Sequence, residues 1–351
     1  MTQSAPERLP WIADLPGAPR VAPTPRDVVH TDGKAKLYRF RDPAEQEGRE
    51  KTHAPVLVVP SMINRWYVVD LREGASLMAA LSHDRPWETF CLDWGIPEDE
   101  DRYVEWDEIV KKLARAIAAV RRITGAPKVS LVGYCMGATL TAIQAALEPH
   151  VVAALVDLLG PIDFEHSGRL GTMVDKRWFD AEAVAAAGNV SATQMQSGFL
   201  ALAPTTSVSK WVGFADRGHE PRSREAFLAL ETWASDNIPF PAAAYRRYIG
   251  ELYQQNQLAR GEHHVAGKRV DLKRITCPVL AVVAERDAIC PPKAATALLD
   301  LCGAQVKDVL SVPGGHVGAV VGSRAQKDLY PRMAAWLTEH TRRDPPPASR
   351  L

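Results

Sequence analysis

The stretch KVSLVGYCMGATLTAIQAALEP (residues 128–149) joins a short apolar run to a longer one through two glycines that flank Cys135. The first run is typical of a buried strand and the second of a helix, so Gly133-Tyr134-Cys135-Met136-Gly137 lies on the turn between them. A nucleophile placed in this way sits on a sharp turn where only glycines allow the two elements to approach closely. The stretch predicts a nucleophilic thiol at a strand end, and the alternative is a buried cysteine beside two packing glycines.

Short apolar runs that end in Gly, Pro or Asp recur along the chain. Their hydrophobicity is continuous rather than alternating, which is typical of parallel strands that are buried on both faces. A helical pattern over residues 106–125 has acids early, bases late and a terminal glycine. The chain is therefore predicted to be α/β, with a mostly parallel, doubly wound sheet. The predicted strands are residues 55–60, 88–94, 128–134, 151–160, 277–285 and 306–312.

The strand–helix alternation stops for roughly a hundred residues after Gly160. An insertion of this size between two strands predicts a mainly helical cap subdomain, over about residues 164–260, within a catalytic domain of residues 26–340. A single long helix over residues 241–261 is expected to close the cap. Residues 1–25 are rich in proline and predict a flexible N-terminal arm. Residues 341–351 are predicted to form a C-terminal tail. Residues 27–41 predict a hairpin around an Asp-Gly turn.

Composition excludes several classes of partner. Lys plus Arg and Asp plus Glu each number 42 in 351 residues, so the formal net charge is zero and nothing indicates nucleic-acid binding. The first residues lack the pattern of a secretory signal, and no apolar run approaches the length of a membrane span. The five cysteines are scattered, which argues against a disulfide framework and a zinc site. These features predict a cytoplasmic protein without a metal.

A nucleophilic thiol needs a base, and two residues follow in the chain order that an α/β-hydrolase fold uses. Asp287 comes after the strand at residues 277–285, and His316 follows the next strand in a Gly-Gly-His turn. Both lie at the C-terminal ends of strands, where open α/β sheets place their sites. The alternatives are a helix N-cap for Asp287 and an ordinary loop histidine for His316. Asp163 and His166, which follow the predicted strand at residues 151–160, are an alternative acid–histidine pair.

The oxyanion hole of such a site takes backbone N–H groups rather than particular side chains. The residue after the nucleophile, Met136, predicts one donor, and Met62 in the loop after residues 55–60 predicts the other. The same loop carries Asn64 and Trp66, which are candidate substrate-binding residues, although a structural role is the alternative for each.

Several blocks of sequence together resemble the catalytic subunit of polyhydroxyalkanoate synthases. The chain is most similar to the short, class III-like form of the PhaC family, which works with a second subunit. In the family box G-x-C-x-G-G, the last position is Ala138 here. The blocks are PSMINRWYVVDL (residues 60–71), FCLDWG (90–95), GYCMGAT (133–139), WASDNIPFPAAAYRRYIGELYQQNQL (233–258), AERDAICPP (284–292) and GGHVGAVVGS (314–323).

The resemblance implies a cysteine-triad acyltransferase with Cys135 as the acyl-carrying nucleophile, His316 as the base and Asp287 as the third member. It implies polymerisation of 3-hydroxyacyl-CoA into poly-3-hydroxybutyrate-type polyester with release of coenzyme A. The coenzyme A thioester is the substrate and no cofactor is implied. The implied partners are a PhaE-like helper subunit or a second copy in a homodimer, at the surface of a polyester granule. The alternatives are a thioesterase or depolymerase with the same triad, and a non-catalytic granule-associated homologue.

Overall fold

The computed structural model describes residues 19–44, 50–202, 214 and 220–343. Residues 1–18 of the predicted N-terminal arm and residues 344–351 of the predicted tail lie outside the described residues. The described residues include most of the predicted catalytic domain and most of the predicted cap.

An eight-stranded sheet forms the centre of the molecule, in the strand order β1-β2-β6-β3-β7-β8-β11-β12. The hairpin of β1 and β2 pairs antiparallel with the edge at β6, and the other strands are parallel. The predicted doubly wound sheet is confirmed. The strands are β1 Arg26–Asp32, β2 Ala35–Phe40, β3 Val56–Val59, β4 Asp70–Arg72, β5 Ala75–Ser76, β6 Thr89–Asp93, β7 Val129–Tyr134, β8 Val152–Leu158, β9 His264–Val265, β10 Lys268–Arg269, β11 Val279–Ala284 and β12 Lys307–Val312; β4 pairs with β5, and β9 with β10.

The central strands β3 and β11 are apolar at every residue because each face of the sheet meets a different layer of the core. In β3, Leu57 and Val59 pack into one hydrophobic cluster, whereas Val56 and Val58 pack into the other. Side chains of a strand alternate between its faces, so a strand covered on both sides has no position that faces water. This covering explains the continuous runs from which the strands were predicted.

Helices cover both faces of the sheet and fill the insertion between β8 and β11. The α-helices are α1 Leu77–Ser82, α2 Trp106–Thr124, α3 Met136–Leu147, α4 Gly168–Met173, α5 Ala181–Ala186, α6 Ala192–Leu202, α7 Pro221–Ser235, α8 Ala242–Arg247, α9 Gln257–Arg260, α10 Pro292–Leu301, α11 His316–Val321 and α12 Leu329–His340. Short 3-10 helices span Trp66–Val69, Asp99–Tyr103, Pro149–Val151, Phe164–His166 and Leu272–Arg274. Helix α2 ends at Gly125, whose φ of 65° stops it where the sequence predicts.

The single long helix predicted over residues 241–261 is wrong. Helix α8 continues as a π-helix, Tyr248–Gln254, and the path then breaks at Asn256 before α9. Asn256 has a left-handed φ of 50°. Its side-chain oxygen accepts a hydrogen bond from the Phe164 N–H, and its amide nitrogen donates to Asp163. These tertiary bonds hold the break, and the apolar periodicity of the segment did not reveal them.

Candidate active site

Cys135 occupies the turn between β7 and α3 in a strained backbone conformation. Its φ of 57° and ψ of −127° lie outside the regions that most non-glycine residues adopt. A Cβ atom at Gly133 would lie 2.3 Å from the Ala138 Cα, and one at Gly137 would lie 1.9 Å from the Val59 carbonyl oxygen. Both glycines are therefore required for the close contact of strand and helix, and Cys135 between them is partly exposed.

His316 begins helix α11 and is held by the carboxylate of Asp287. Its Nδ1 lies 2.7 Å from Asp287 Oδ2, and both side chains are buried. The other carboxylate oxygen accepts hydrogen bonds of 2.8 Å from the N–H groups of Ile289 and Cys290. These bonds fix the carboxylate in the loop after β11. The N-cap of α10 is Pro291 rather than Asp287, so the N-cap alternative does not describe this loop.

The charges of the site favour a protonated imidazole. Burial by itself would lower the pKa of His316, but negative charge on Cys135 and the hydrogen bond with Asp287 outweigh burial and raise the pKa to about 10. The Cys135 contact contributes to this rise, although Nε2 of His316 does not reach full hydrogen-bond geometry with any described residue. The imidazole also stacks on the Tyr134 ring, with centroids 5.5 Å apart. The arrangement can hold a thiolate beside an imidazolium.

The rival pair does not join this cluster. Asp163 Oδ2 lies 3.2 Å from His166 Nδ1, and the His166 side chain is 46% exposed. Asp163 otherwise contacts Asn256. Asp163 and His166 therefore contact each other at the start of the insertion and stabilise its loop.

The N–H groups predicted for the oxyanion hole belong to the residue after Cys135 and to the loop that follows β3, the strand paired with β7. Met136 is the first residue of α3, and Met62 lies in the loop after β3. Within the part of the chain that the structure describes, neither N–H donates to a backbone carbonyl outside its own helix or strand. Their role in binding an oxyanion remains a prediction.

The structure does not bring Asn64 or Trp66 to the cavity beside Cys135. The Asn64 amide nitrogen donates to Asn237 Oδ1 at 2.9 Å. Trp66 is buried against the rings of Tyr38 and Phe40. The Arg26 guanidinium lies 4.7 Å from the centre of the Trp66 ring. The 3-10 helix Trp66–Val69 turns this part of the loop toward the β1–β2 hairpin. The loop residue that does line the cavity is Ile63.

A largely apolar cavity of about 280 Å³ opens beside Cys135. Most of the lining comes from the insertion, between Leu170 and Gly198 and between Phe240 and Tyr253. The other lining residues are Ile63, Cys135, Met136, Pro161 and Ile289. The sequence predicts the cap insertion but does not indicate which of its residues line the cavity. The two tyrosines of the π-helix, Tyr248 and Tyr253, could have been found only through the i, i+5 spacing that a π-helix brings to one face.

Ala138, the departure from the family box, is accommodated by a glycine on the neighbouring strand end. A Cβ atom at Gly160 would lie 2.1 Å from the Ala138 Cβ and 2.8 Å from both Asp157 Oδ1 and the Cys135 carbonyl oxygen. The Gly160 N–H donates to Asp157 Oδ1 at 2.7 Å, and the Cys135 N–H donates to the Leu158 carbonyl at 3.0 Å. The methyl group of Ala138 thus fills space that the glycine leaves free, and the turn keeps its shape.

Metal-binding clusters and membrane-spanning helices are both absent from the described residues. Within the described ranges, no group of three or more His, Cys, Asp or Glu side chains could hold a metal ion. No helix there is both long enough and apolar enough to cross a membrane.

Comparison with solved structures supports the fold. A putative lipase from Sulfolobus solfataricus superimposes with a TM-score of 0.54 at 14% identity, covering 90% of this chain and 99% of that chain. A hydrolase from Pseudomonas aeruginosa superimposes with a TM-score of 0.53 at 15% identity, covering 89% and 98%. At such identities the likeness is one of fold alone.

Sequence comparison finds relatives with higher identity than these solved structures. The family model of the alpha/beta hydrolase fold matches residues 54–323. The poly(3-hydroxyalkanoate) polymerase subunit PhaC of Allochromatium vinosum is 32% identical over 90% of this chain and 89% of its own length. The PhaC subunit of Synechocystis is also 32% identical, over 90% and 85%, and that of Haloferax mediterranei is 30% identical over 97% and 68%. The chain therefore belongs to the PhaC family of poly(3-hydroxyalkanoate) polymerase subunits, within the alpha/beta hydrolase fold.

Proposed function

We propose that this chain is an acyltransferase that polymerises 3-hydroxyacyl-CoA into a poly(3-hydroxybutyrate)-type polyester. The observation that carries the proposal is a thiol on a strained turn, at the wall of an apolar cavity and beside a His–Asp pair. The family supplies the reaction class. In this proposal Cys135 carries the growing chain, His316 transfers protons and Asp287 orients the imidazole.

The first step loads an acyl group onto the enzyme. His316 Nε2 accepts the thiol proton of Cys135, and the thiolate sulfur attacks the carbonyl carbon of the coenzyme A thioester. The carbon–sulfur bond to coenzyme A breaks, and the leaving thiolate takes the proton from His316. The N–H groups of Met62 and Met136 bind the oxyanion of the tetrahedral intermediate. One thioester replaces another, so the acyl group remains activated.

The second step extends the polyester. His316 accepts the proton from the 3-hydroxyl of a second hydroxyacyl unit, and that oxygen attacks the carbonyl carbon on Cys135. The carbon–sulfur bond breaks, an oxoester forms, and the Cys135 thiolate takes the proton back. An ester on serine would have a lower energy than the thioester, so a thiol at this position makes transfer to a hydroxyl favourable.

Water competes with the hydroxyl for the same acyl group, and the cavity decides the outcome. Its apolar walls favour a polyester segment over ordered water. A hydrolase with the same triad would need a route for water to Cys135. The apolar walls therefore favour the polymerase over the thioesterase or depolymerase alternative.

Incubation of the purified protein with 3-hydroxybutyryl-CoA tests the proposal. We expect release of coenzyme A together with insoluble polyester, and loss of both in Cys135→Ala. Release of coenzyme A with only free 3-hydroxybutyrate would indicate a hydrolase. No release and no labelling of Cys135 by an acyl-CoA analogue would indicate a non-catalytic homologue.

The proposal extends to the assembly in which the enzyme works. A PhaE-like helper subunit, or a second copy of this chain, is the proposed partner, and the polyester granule surface in the cytoplasm is the proposed location. Light scattering of the purified chain, alone and co-expressed with a candidate helper, measures the assembly. Fluorescence of a tagged chain in cells with granules measures the location.

A further inference from the structure

A π-helix places two phenol hydroxyls side by side at the wall of the Cys135 cavity. The π-helical segment Tyr248–Gln254 follows α8 directly. In an α-helix, residues five apart point about 140° away from each other, whereas π-helical i→i+5 bonding brings them to one face. The rings of Tyr248 and Tyr253 accordingly meet with centroids 5.4 Å apart. Single π-helical turns are frequent at functional sites.

The two hydroxyls differ from the rest of the cavity wall in their electrostatic neighbours. Both tyrosines line the cavity, and burial raises the pKa of each phenol, so both stay neutral donors. Each phenol interacts with the other and with the Cys135 charge. Tyr245 lines the same cavity, but burial alone raises its pKa, to about 12, and it packs edge-on against Phe240. The polar pair near the nucleophile is therefore Tyr248 with Tyr253.

An acyl group on Cys135 would extend into this cavity with its oxygen at C3 four bonds from the sulfur. Apart from Gln194 and the tyrosines, the side chains beyond Cys135 that line the cavity are apolar. A polar oxygen buried among such walls needs a hydrogen-bond partner. Two neutral phenols can donate to the oxygen and also accept from it, so the pair suits both a free 3-hydroxyl and the ester oxygen that replaces it.

We propose, resting on the function proposed above, that Tyr248 and Tyr253 form a site for the C3 oxygen of the acyl group on Cys135 and make the enzyme selective for 3-oxygenated acyl chains. The pair recognises the substrate and takes no part in the proton transfers of His316. A site built to bind an oxygen discriminates strongly against the analogue that lacks it, because its own polar groups are then left unpaired.

Single-turnover acylation with two substrates tests this inference. The rate of coenzyme A release is measured with 3-hydroxybutyryl-CoA and with butyryl-CoA, which lacks the C3 oxygen. We expect the wild-type protein to favour the hydroxylated substrate by about 10-fold or more. Tyr248→Phe and Tyr253→Phe are each expected to reduce that preference by about 10-fold, chiefly by slowing the hydroxylated substrate.

Tyr245→Phe is the matched control, since it removes a cavity hydroxyl that has no interaction with Cys135, and its substrate preference should equal that of wild type. Equal slowing of both substrates in the two test variants would indicate a structural role and overturn the inference. A wild-type preference near one would overturn it without any variant, even if a variant fails to fold. Failure of the proposed function has a different signature, because the wild-type protein would then form no polyester from 3-hydroxybutyryl-CoA.

Discussion

Gly160→Ala should disturb the nucleophile turn, because the methyl group that it adds has no free space. The new Cβ would lie 2.1 Å from the Ala138 Cβ, whereas carbon atoms pack at about 3.5–4.0 Å. Strand end and helix must therefore separate by roughly 1.5 Å. Overpacking of this kind costs about 1–3 kcal/mol, which lowers the melting temperature by about 2–6 °C at roughly 2 °C per kcal/mol in a large chain. The same shift moves the Cys135 carbonyl, which would lie 2.8 Å from the new methyl group.

Activity should fall further than stability, because a displacement of about 1 Å at a reacting group can cost about 100-fold in rate. The decisive measurement is a double-mutant cycle with Ala138→Gly, assayed by thermal unfolding and by coenzyme A release. Removing the Ala138 methyl relieves the shortest contact, but the two 2.8 Å contacts to Asp157 and Cys135 remain, so we expect partial recovery. Gly250→Ala is the stability control, since its Cβ would meet nothing within 4 Å. A double variant no better than Gly160→Ala alone would refute this account of Ala138.

Three further predictions concern charged or reacting groups. Cys135→Ser should still fold and should lower the rate of polyester formation by at least about 1,000-fold, measured by coenzyme A release, and wild-type rates would contradict the thioester intermediate. Asp287→Ala removes the 2.7 Å hydrogen bond that helps to raise the pKa of His316. The rate of coenzyme A release should therefore fall by about 100-fold or more, and the alkaline limb of its pH profile should move to lower pH. An alkaline limb that stays in place would contradict this prediction. Burial raises the pKa of Asp157 above its ordinary value of 3.8, so folding favours its protonated form, and wild type loses stability as pH rises through and above about 4. Asp157→Asn should therefore gain free energy of unfolding relative to wild type between pH 4 and 7, as measured by urea unfolding. A difference between the two proteins that does not change with pH would contradict the raised pKa of Asp157.

The nucleophile turn and the sheet could be predicted because their causes are local. Glycines at positions 133 and 137 are required by contacts with the adjacent helix and strand, and runs such as residues 129–134 are apolar because both faces are covered. The order of Cys135, Asp287 and His316 follows from chain topology, and the structure brings Asp287 and His316 into contact. Each of these features needs only a short window of sequence or a known order along the chain.

The insertion could not be predicted in the same way, because tertiary contacts decide its geometry. The break at Asn256 depends on bonds to Asp163 and Phe164 about ninety residues away, and apolar periodicity reads through it as one helix. Trp66 was predicted to bind substrate because its loop leads toward the site. The same loop instead turns Trp66 onto Tyr38 and Phe40. Loop position in the sequence gives proximity to a site but not the direction of a side chain.

Under the proposed function, the insertion rather than the nucleophile turn distinguishes a polymerase from a hydrolase. The central sheet is that of the alpha/beta hydrolase fold, and a fold by itself does not identify the acceptor. Ala138 is the position at which the turn departs from the family box, and Gly160 leaves the space that its methyl group occupies. The remaining difference is the cavity, whose walls beyond Cys135 and Met136 come mainly from the insertion. In the proposed reaction, selection of the acceptor therefore depends on how well those walls exclude water and hold a polyester beside an acyl group on Cys135.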